Sequence, residues 1–287
     1  MGINSALLIW ELFAKMTEEL PLATASLPMK DPIYQEVCVF YHLFRLLRFA
    51  CFTIDFMLVS LFTFACACLP LCINRRFMPK LFQIWSGAFL RFTGIECHIH
   101  QRYNPPLPKR YVLISNHPSG ADILILNALF QVHPLAKDTI RAWWIIGRIA
   151  ASAGAVFVKR DSRDSRNAAK QQLIDSAMQG YNLLIYPEGG CFGRHLRPFK
   201  YGAFDIALAA GIPILPVYFQ YEAENDFEWG EYGMIHHVYN LCRVCNKHAH
   251  CYIFDPVFPD AFGTPEAFSD YVHKLYEQWE AKYRLPL

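Results

Sequence analysis

The chain has 287 residues and a formal net charge of +2, and 54% of its residues are apolar. Its length predicts one main domain with an appendage, and the near-neutral charge argues against nucleic acid as a partner. An apolar fraction this high is unusual for a purely soluble domain and indicates a segment that contacts a membrane.

The first 93 residues are predicted to form the appendage. Residues 1–34 combine a short amphipathic segment, with apolar side chains at Leu8 and Leu12, and a linker. Residues 35–93 are predicted to form a membrane-associated helical element. Its longest uninterrupted apolar run, Phe56 to Ile73, would be about 27 Å long as a helix, close to the roughly 30 Å of a hydrocarbon core.

A second helix is predicted after this run. Pro70 and Pro79 interrupt the first helix, and the stretch from Leu81 to Phe92 is again rich in apolar residues. Basic residues stand on both sides of the first helix, so the positive-inside rule gives no orientation. We expect a helical hairpin inserted into one leaflet of the membrane, with a single membrane-spanning helix as the alternative.

Residues 94–287 are predicted to form the main folded domain, because strand-like and helix-like segments alternate along them. This alternation predicts an α/β fold with a mixed, mostly parallel sheet and helices on both faces. The predicted strands are 96–100, 111–115, 155–159, 182–186, 214–219 and 251–254, and the predicted helices are 121–130, 139–151, 164–178, 202–210 and 265–283. The strand within Ile212–Val217 has prolines near its ends and is therefore expected at the rim of the sheet.

A histidine and an aspartate follow the second predicted strand. His117 stands on a turn, and Asp122 opens the next helix. Five helical residues turn through about 500°, so the two side chains can meet only if His117 lies on the loop before the helix. The pair suits a general base with an orienting carboxylate, although a helix start with an incidental exposed histidine has the same pattern.

Three further blocks follow in order: G-A-V-F-V-K-R at Gly154–Arg160, Y-P-E-G-G at Tyr186–Gly190 and I-P-I-L-P-V at Ile212–Val217. Together with N-H-P-S-G-A-D, they resemble the glycerolipid acyltransferase family, of the 1-acylglycerol-3-phosphate acyltransferase type. The resemblance covers about Leu90 to Pro259. No block is specific alone, but the ordered set on matching secondary structure is specific.

The resemblance implies an O-acyltransferase that moves a fatty acyl chain from acyl-CoA or acyl carrier protein to a hydroxyl group of a lysolipid. It implies no resident cofactor, and its partners are membrane lipids, the lysolipid acceptor and the acyl donor. His117 and Asp122 would be catalytic, and Arg160 would hold the phosphate end of the acceptor. The apolar segment predicts membrane association. The ten cysteines show no disulfide-framework spacing, so we expect the catalytic domain on the reducing, cytosolic face of the membrane.

The resemblance implies that the third block helps to bind the phosphate end of the acceptor and that the fourth closes the site. Glu188 would bind loop amides or an arginine, and Gly189 and Gly190 would let the backbone approach a ligand closely. The charges from Lys159 to Arg166 mix both signs, and most of them are expected in solvent.

The chain departs from the family pattern P-E-G-T-R, because Gly190 and Cys191 replace the threonine and the arginine. One anion-binding charge is therefore missing, and Arg194, Arg197 or Lys200 are candidates to replace it. This departure favours an acceptor whose headgroup differs from that of lysophosphatidate, such as a lyso-aminolipid.

Two other functions remain open. Cys242-x-x-Cys245, with His248 and His250, has the ligand types of a zinc site and would suit a membrane-tethered metal-binding module. A second C-x-x-C is lacking in the sequence, so we expect no metal there. A lipid hydrolase on the same fold is the other alternative, although the G-x-S-x-G motif of common lipases does not occur.

Overall fold

The computed structural model describes residues 32–70, 77–193, 195–230 and 233–284. The amphipathic segment and linker predicted for residues 1–34 lie almost wholly outside this part of the chain, as does Arg194. The chain divides into two compact units, residues 1–55 and 56–287.

The first described element is a long helix, α1 (Pro32–Ala67). It begins well before the uninterrupted apolar run that starts at Phe56, because proline suits a first helical turn and residues 33–67 contain neither proline nor glycine. Its apolar side chains are largely exposed, as Leu46 at 64% and Leu61 at 68% show. Among the described helices, α1 is the one long and apolar enough to cross a membrane.

The second helix, α2 (Met78–Thr93), packs against the end of α1 that belongs to the second unit. Phe56 stacks on Phe92 with ring centroids 5.2 Å apart, and Trp85 Nε1 donates to Ser60 Oγ at 2.9 Å. The two helices that the sequence predicts are therefore present. The second one buries an apolar face inside the domain, formed by Met78, Phe82, Trp85, Ala88 and Phe89.

A seven-stranded sheet forms the centre of the second unit, in the order β1-β7-β6-β2-β5-β3-β4. Neighbouring strands are parallel, except β6 and β7, which are antiparallel. The predicted mixed, mostly parallel sheet is confirmed. Its strands are β1 (Glu96–Arg102), β2 (Val112–Ser115), β3 (Val132–Lys137), β4 (Val156–Val158), β5 (Asn182–Ile185), β6 (Ile214–Tyr221) and β7 (His248–Phe254).

Helices cover both faces of this sheet, as predicted. They are α3 (Asp122–Leu129), α4 (Asp138–Arg141), α5 (Trp144–Ser152), α6 (Arg163–Met178), α7 (Gly202–Ala210), α8 (Glu224–Phe227), α9 (Met234–Arg243) and α10 (Pro265–Tyr283), with a 3-10 turn at Pro259–Ala261. One hydrophobic core joins the sheet to α6, α7 and α10. The other core joins it to α2, α3 and α9.

Strand β3 was not predicted from the sequence, and it contains Pro134. Residues Val132 to Pro134 pair with β5, and the following residues pair with β4. The proline therefore lies where the strand changes partner, a position at which a missing N–H is tolerated. The helix predicted over 139–151 is two helices, α4 and α5.

The prediction that Ile212–Val217 lies at the rim of the sheet is wrong. Strand β6 lies between β7 and β2, and all eight of its side chains are buried. The N–H and C=O of Ile214 both bond to Val257, on the side of β6 away from β2. Backbone direction alternates along a strand, so the nitrogen of Pro216, two residues on, points to the same side. The β7 ladder begins only at Val217, so the missing N–H of Pro216 does not interrupt it.

Candidate active site

Four residues, three of them predicted site residues, follow or end strands whose carboxyl ends meet at one edge of the sheet. Strands β2, β4, β5 and β6 run in the same direction, so their carboxyl ends meet there. His117 follows β2, Arg160 follows β4 and Glu188 follows β5, while Tyr221 is the last residue of β6.

Asn116 ties the end of β2 to β6. Its side-chain amide donates to the carbonyl of Phe219 at 2.9 Å and accepts from the N–H of the same residue at 2.7 Å. These two bonds continue the sheet pairing one residue beyond β2. His117 is thereby held on the turn above the sheet edge, in front of α3.

His117 and Asp122 form a hydrogen-bonded pair, with 3.0 Å between His117 Nδ1 and Asp122 Oδ2. Asp122 is fully buried. Its Oδ2 also accepts the N–H of Ser119 at 2.9 Å, and the hydroxyl of Tyr221 donates to Oδ1. Burial raises the pKa of Asp122, while the hydrogen bond from His117 and those from Tyr221 and Ser119 oppose the rise. The carboxylate fixes the imidazole and leaves Nε2 for a substrate.

Glu188 supports the same turn from the neighbouring strand. Its Oε1 accepts the N–H of His117 at 2.9 Å, and its Oε2 accepts the N–H of Arg197 at 3.2 Å. Glu188 therefore binds loop amides, one of the two arrangements that the sequence allowed. Burial raises its pKa to about 7, although both amide bonds act in the opposite direction.

A cavity of about 400 Å³ lies near the pair, although neither His117 nor Asp122 lines it. Tyr186 lines it, and the same ring stacks on His117 with centroids 3.9 Å apart. Much of the wall is apolar, and its cationic members are Arg160, Arg166, Lys170 and Lys200. Three of the predicted binding residues, Arg160, Gly189 and Lys200, thus line one cavity, and Tyr186 connects it to His117.

The two glycines of the third block, Gly189 and Gly190, are required for different structural reasons. Gly189 lines the cavity with a φ of 77°, and a Cβ there would lie 2.5 Å from Lys200 Nζ. A side chain at this position would be strained and would push the lysine aside. Gly190 is outside the lining, and a Cβ there would lie 2.6 Å from the ring of Phe192. It therefore serves the packing of the loop.

Sequence reasoning missed four residues of this site. Arg166 and Lys170 lie on α6 and line the cavity, and Arg166 is also exposed, as expected for its charge run. Asn116 stands beside His117, and its position directly after a buried strand was the available signal. Tyr221 lies 99 residues from Asp122 along the chain, and no local pattern pointed to it.

The alternative metal site is not assembled. Cys242 lies near the end of α9, Cys245 is exposed, and His248 and His250 lie on β7. Within the described ranges, the convergent group of metal-ligand types is a different one, formed by Glu96, His98 and His248.

Comparison with known proteins identifies acyltransferases as relatives of this chain. Residues 95–220 match the model of the family described as Acyltransferase. A lyso-ornithine lipid O-acyltransferase of Pseudomonas aeruginosa is 34% identical over 54% of this chain and 63% of its own length. A 1-acyl-sn-glycerol-3-phosphate acyltransferase of Neisseria gonorrhoeae is 31% identical over 42% of this chain and 48% of its own length. The chain thus spans about half to two thirds of these curated relatives.

The fold also has a counterpart among solved structures. The crystal structure of the 1-acyl-sn-glycerophosphate acyltransferase of Thermotoga maritima matches with a TM-score of 0.50 and 18% identity, over 82% of this chain and 100% of that one. Identity this low supports the shared fold alone. Together with the family match, it confirms the resemblance found in the four sequence blocks. Over residues 95–220, the chain is similar to the acyltransferase family.

Proposed function

We propose that this protein is a membrane-associated O-acyltransferase that transfers a fatty acyl chain from an acyl thioester to a hydroxyl group of a lysolipid. The observation that carries the proposal is the 3.0 Å contact between His117 Nδ1 and the fully buried Asp122 carboxylate. A buried carboxylate in this position orients the ring and stabilises the imidazolium that forms when Nε2 takes a proton.

The proposed reaction is a direct transfer. The acceptor oxygen attacks the thioester carbonyl carbon while His117 Nε2 removes the hydroxyl proton. The tetrahedral intermediate then collapses, the C–S bond breaks, and the imidazolium returns the proton to the leaving thiolate. Cys191 directly follows the third block, and burial raises its pKa to about 12. It stays protonated, which argues against a covalent acyl-enzyme through this cysteine.

The cavity is proposed to bind the acceptor headgroup. Arg160, Arg166, Lys170 and Lys200 give it a cationic lining, and guanidinium groups bind phosphate and carboxylate through paired hydrogen bonds. These groups make up for the arginine that is absent after Gly190. Two of the relatives carry the names of lyso-ornithine lipid and 1-acylglycerol-3-phosphate acyltransferases, so both lysolipid classes are candidate acceptors.

Helix α1 is proposed to hold the enzyme at the membrane that supplies this acceptor, with the catalytic domain on the cytosolic face. Its exposed apolar side chains, among them Leu58 at 62% and Leu61 at 68%, favour lipid over water. The acyl donor is proposed to be acyl-CoA or acyl carrier protein.

The test is acyl transfer by purified protein with His117→Ala. Lyso-ornithine lipid and lysophosphatidate are each offered with both donors, and products are identified by mass spectrometry. We expect the rate to fall at least about 100-fold, while His236→Ala, on the exposed face of α9, keeps the wild-type rate. Full activity of His117→Ala would overturn the proposal. Release of free fatty acid without acylated lipid would favour the hydrolase alternative.

A further inference from the structure

Four histidines and a glutamate lie side by side on an outward face of the sheet. Strand β1 is an edge strand, and its parallel register with β7 pairs Glu96 with His248 and His98 with His250. Since alternate residues of a strand share a face, His100 lies on this face too. The proposed acyltransferase mechanism uses none of these side chains.

Three ligand atoms converge at one point of this face. His98 Nε2 lies 2.9 Å from His248 Nδ1, and Glu96 Oε2 lies 3.5 Å from the same nitrogen. All three atoms lie within 4.8 Å of one another. A neutral imidazole nitrogen carries at most one proton. His248 Nδ1 can therefore form a hydrogen bond with either His98 Nε2 or Glu96 Oε2, but not with both. A cation between the three atoms would accept a lone pair from each.

We infer that Glu96, His98 and His248 form a binding site for a divalent transition-metal ion of the zinc type. Two imidazole nitrogens and a carboxylate oxygen are a common protein ligand set for zinc. Tetrahedral coordination at Zn–N distances of about 2.0–2.1 Å separates two nitrogens by about 3.3 Å. The observed 2.9 Å therefore requires the two rings to open by about 0.4 Å, a small movement for a side chain as exposed as His98.

A second layer of hydrogen bonds orders the neighbouring side chains. His250 Nδ1 lies 3.0 Å from His100 Nε2, and His250 Nε2 lies 3.0 Å from Glu222 Oε1. Asn246 donates to the other oxygen of Glu222 at 2.9 Å. The ring of His98 stacks on that of His250, with centroids 5.2 Å apart. The network therefore fixes His250, and the His250 ring supports the proposed ligand His98.

The ligands come from two neighbouring strands, so a bound metal would link those strands. Glu96 and His98 belong to edge strand β1, and His248 belongs to β7. A metal ion held by all three joins the edge strand to its neighbour and leaves its fourth position open to solvent. The site is separate from Cys242 and Cys245.

The test is zinc titration of tag-free, full-length protein in detergent, followed by isothermal calorimetry. We expect one zinc ion per chain, a zinc-dependent rise in Tm and the visible absorption of tetrahedral cobalt when Co²⁺ replaces zinc. Glu96→Gln, His98→Ala and His248→Ala should each weaken zinc binding at least about 10-fold. The matched control is His273→Ala, because His273 also lies near a carboxylate, 3.6 Å from Glu277, outside the cluster.

Three results would overturn this assignment. The first is the absence of stoichiometric zinc binding to the wild type, and the second is wild-type zinc affinity in His98→Ala. The third is a loss of zinc affinity as large as that of His98→Ala in His100→Ala or in the Cys242→Ser/Cys245→Ser double variant. Circular dichroism of each variant shows whether the fold is kept, and His248→Ala gives an independent measurement if one variant fails to fold.

Discussion

Glu188 Oε1 accepts the backbone N–H of His117 at 2.9 Å, across 71 residues of sequence. A carboxylate from the third sequence block therefore holds the turn that carries the histidine of the first block. The other oxygen of Glu188 accepts the N–H of Arg197, so one buried side chain joins the two loops at the edge of the sheet.

Glu188 should give the protein a distinctive dependence of stability on pH. Burial raises its pKa from 4.5 to about 7, so the native chain keeps a proton that the unfolded chain has lost. Between these values the native state binds more protons, and stability falls as pH rises. The free energy of unfolding of the wild type minus that of Glu188→Gln should therefore fall from pH 4.5 to about 7 and then level off, as denaturant melts would show.

An exposed glutamate provides the control of opposite sign. Hydrogen bonds from Asn246 and His250 lower the pKa of Glu222, so its contribution is present above the unfolded pKa and is lost as pH falls through the folded pKa. The wild type minus Glu222→Gln difference, measured with EDTA present, should rise with pH over the acidic range. The same sign for both residues would contradict the assignment for Glu188.

Tyr221 should act as a positioning residue through Asp122. Tyr221→Phe leaves a buried carboxylate oxygen without its donor, which costs about 1–3 kcal/mol of stability. Loss of this bond also raises the pKa of Asp122 further, so the acidic limb of the kcat/KM profile should move to higher pH.

Asp122→Asn should lower kcat at least about 100-fold.

The control for Tyr221 is Tyr276→Phe. Tyr276 is another buried tyrosine, and its hydroxyl contacts Ile114 and Val217 rather than Asp122. This variant should lose stability without a shift in the pH profile. A pH profile for Tyr221→Phe that matches the wild type would show that Tyr221 is structural only.

Arg160 should contribute to acceptor binding more than to turnover. Its side chain lines the cavity, and removal of an interaction made equally in the ground and transition states raises KM alone. Arg160→Ala should raise KM for the lysolipid about 10-fold or more and change kcat by less than about threefold. Lys159→Ala, an exposed neighbour outside the cavity lining, should match the wild type, and an equal loss for the acyl donor would contradict this role.

Helix α1 should bind the protein to membranes. The wild type should sediment with the membrane fraction and resist extraction without detergent. Leu58→Glu/Leu61→Glu should move protein into the high-speed supernatant, because each charge at a helix centre costs about 2.5–3.5 kcal/mol in lipid. Ile235→Glu, which replaces an 81% exposed residue on α9, should stay with the membranes. A soluble wild type would exclude this role for α1.

The sequence by itself determined the elements and groups that depend on neighbouring residues. An apolar run, a turn and a helix start placed His117 on a loop and Asp122 at the start of α3, because these signals act within a few residues. The bounds of α7 and α10 follow equally from local periodicity, a C-terminal glycine in one case and an N-terminal threonine cap in the other.

Only the tertiary structure decided which distant groups complete the site. Tyr221 reaches Asp122 because β6 pairs beside β2, and Arg166 reaches the cavity because α6 packs across the same sheet edge. Pro216 can likewise lie in a central strand because the β6–β7 ladder begins only at Val217. Strand order is set by burial summed over the whole chain, and no local window of sequence contains that sum.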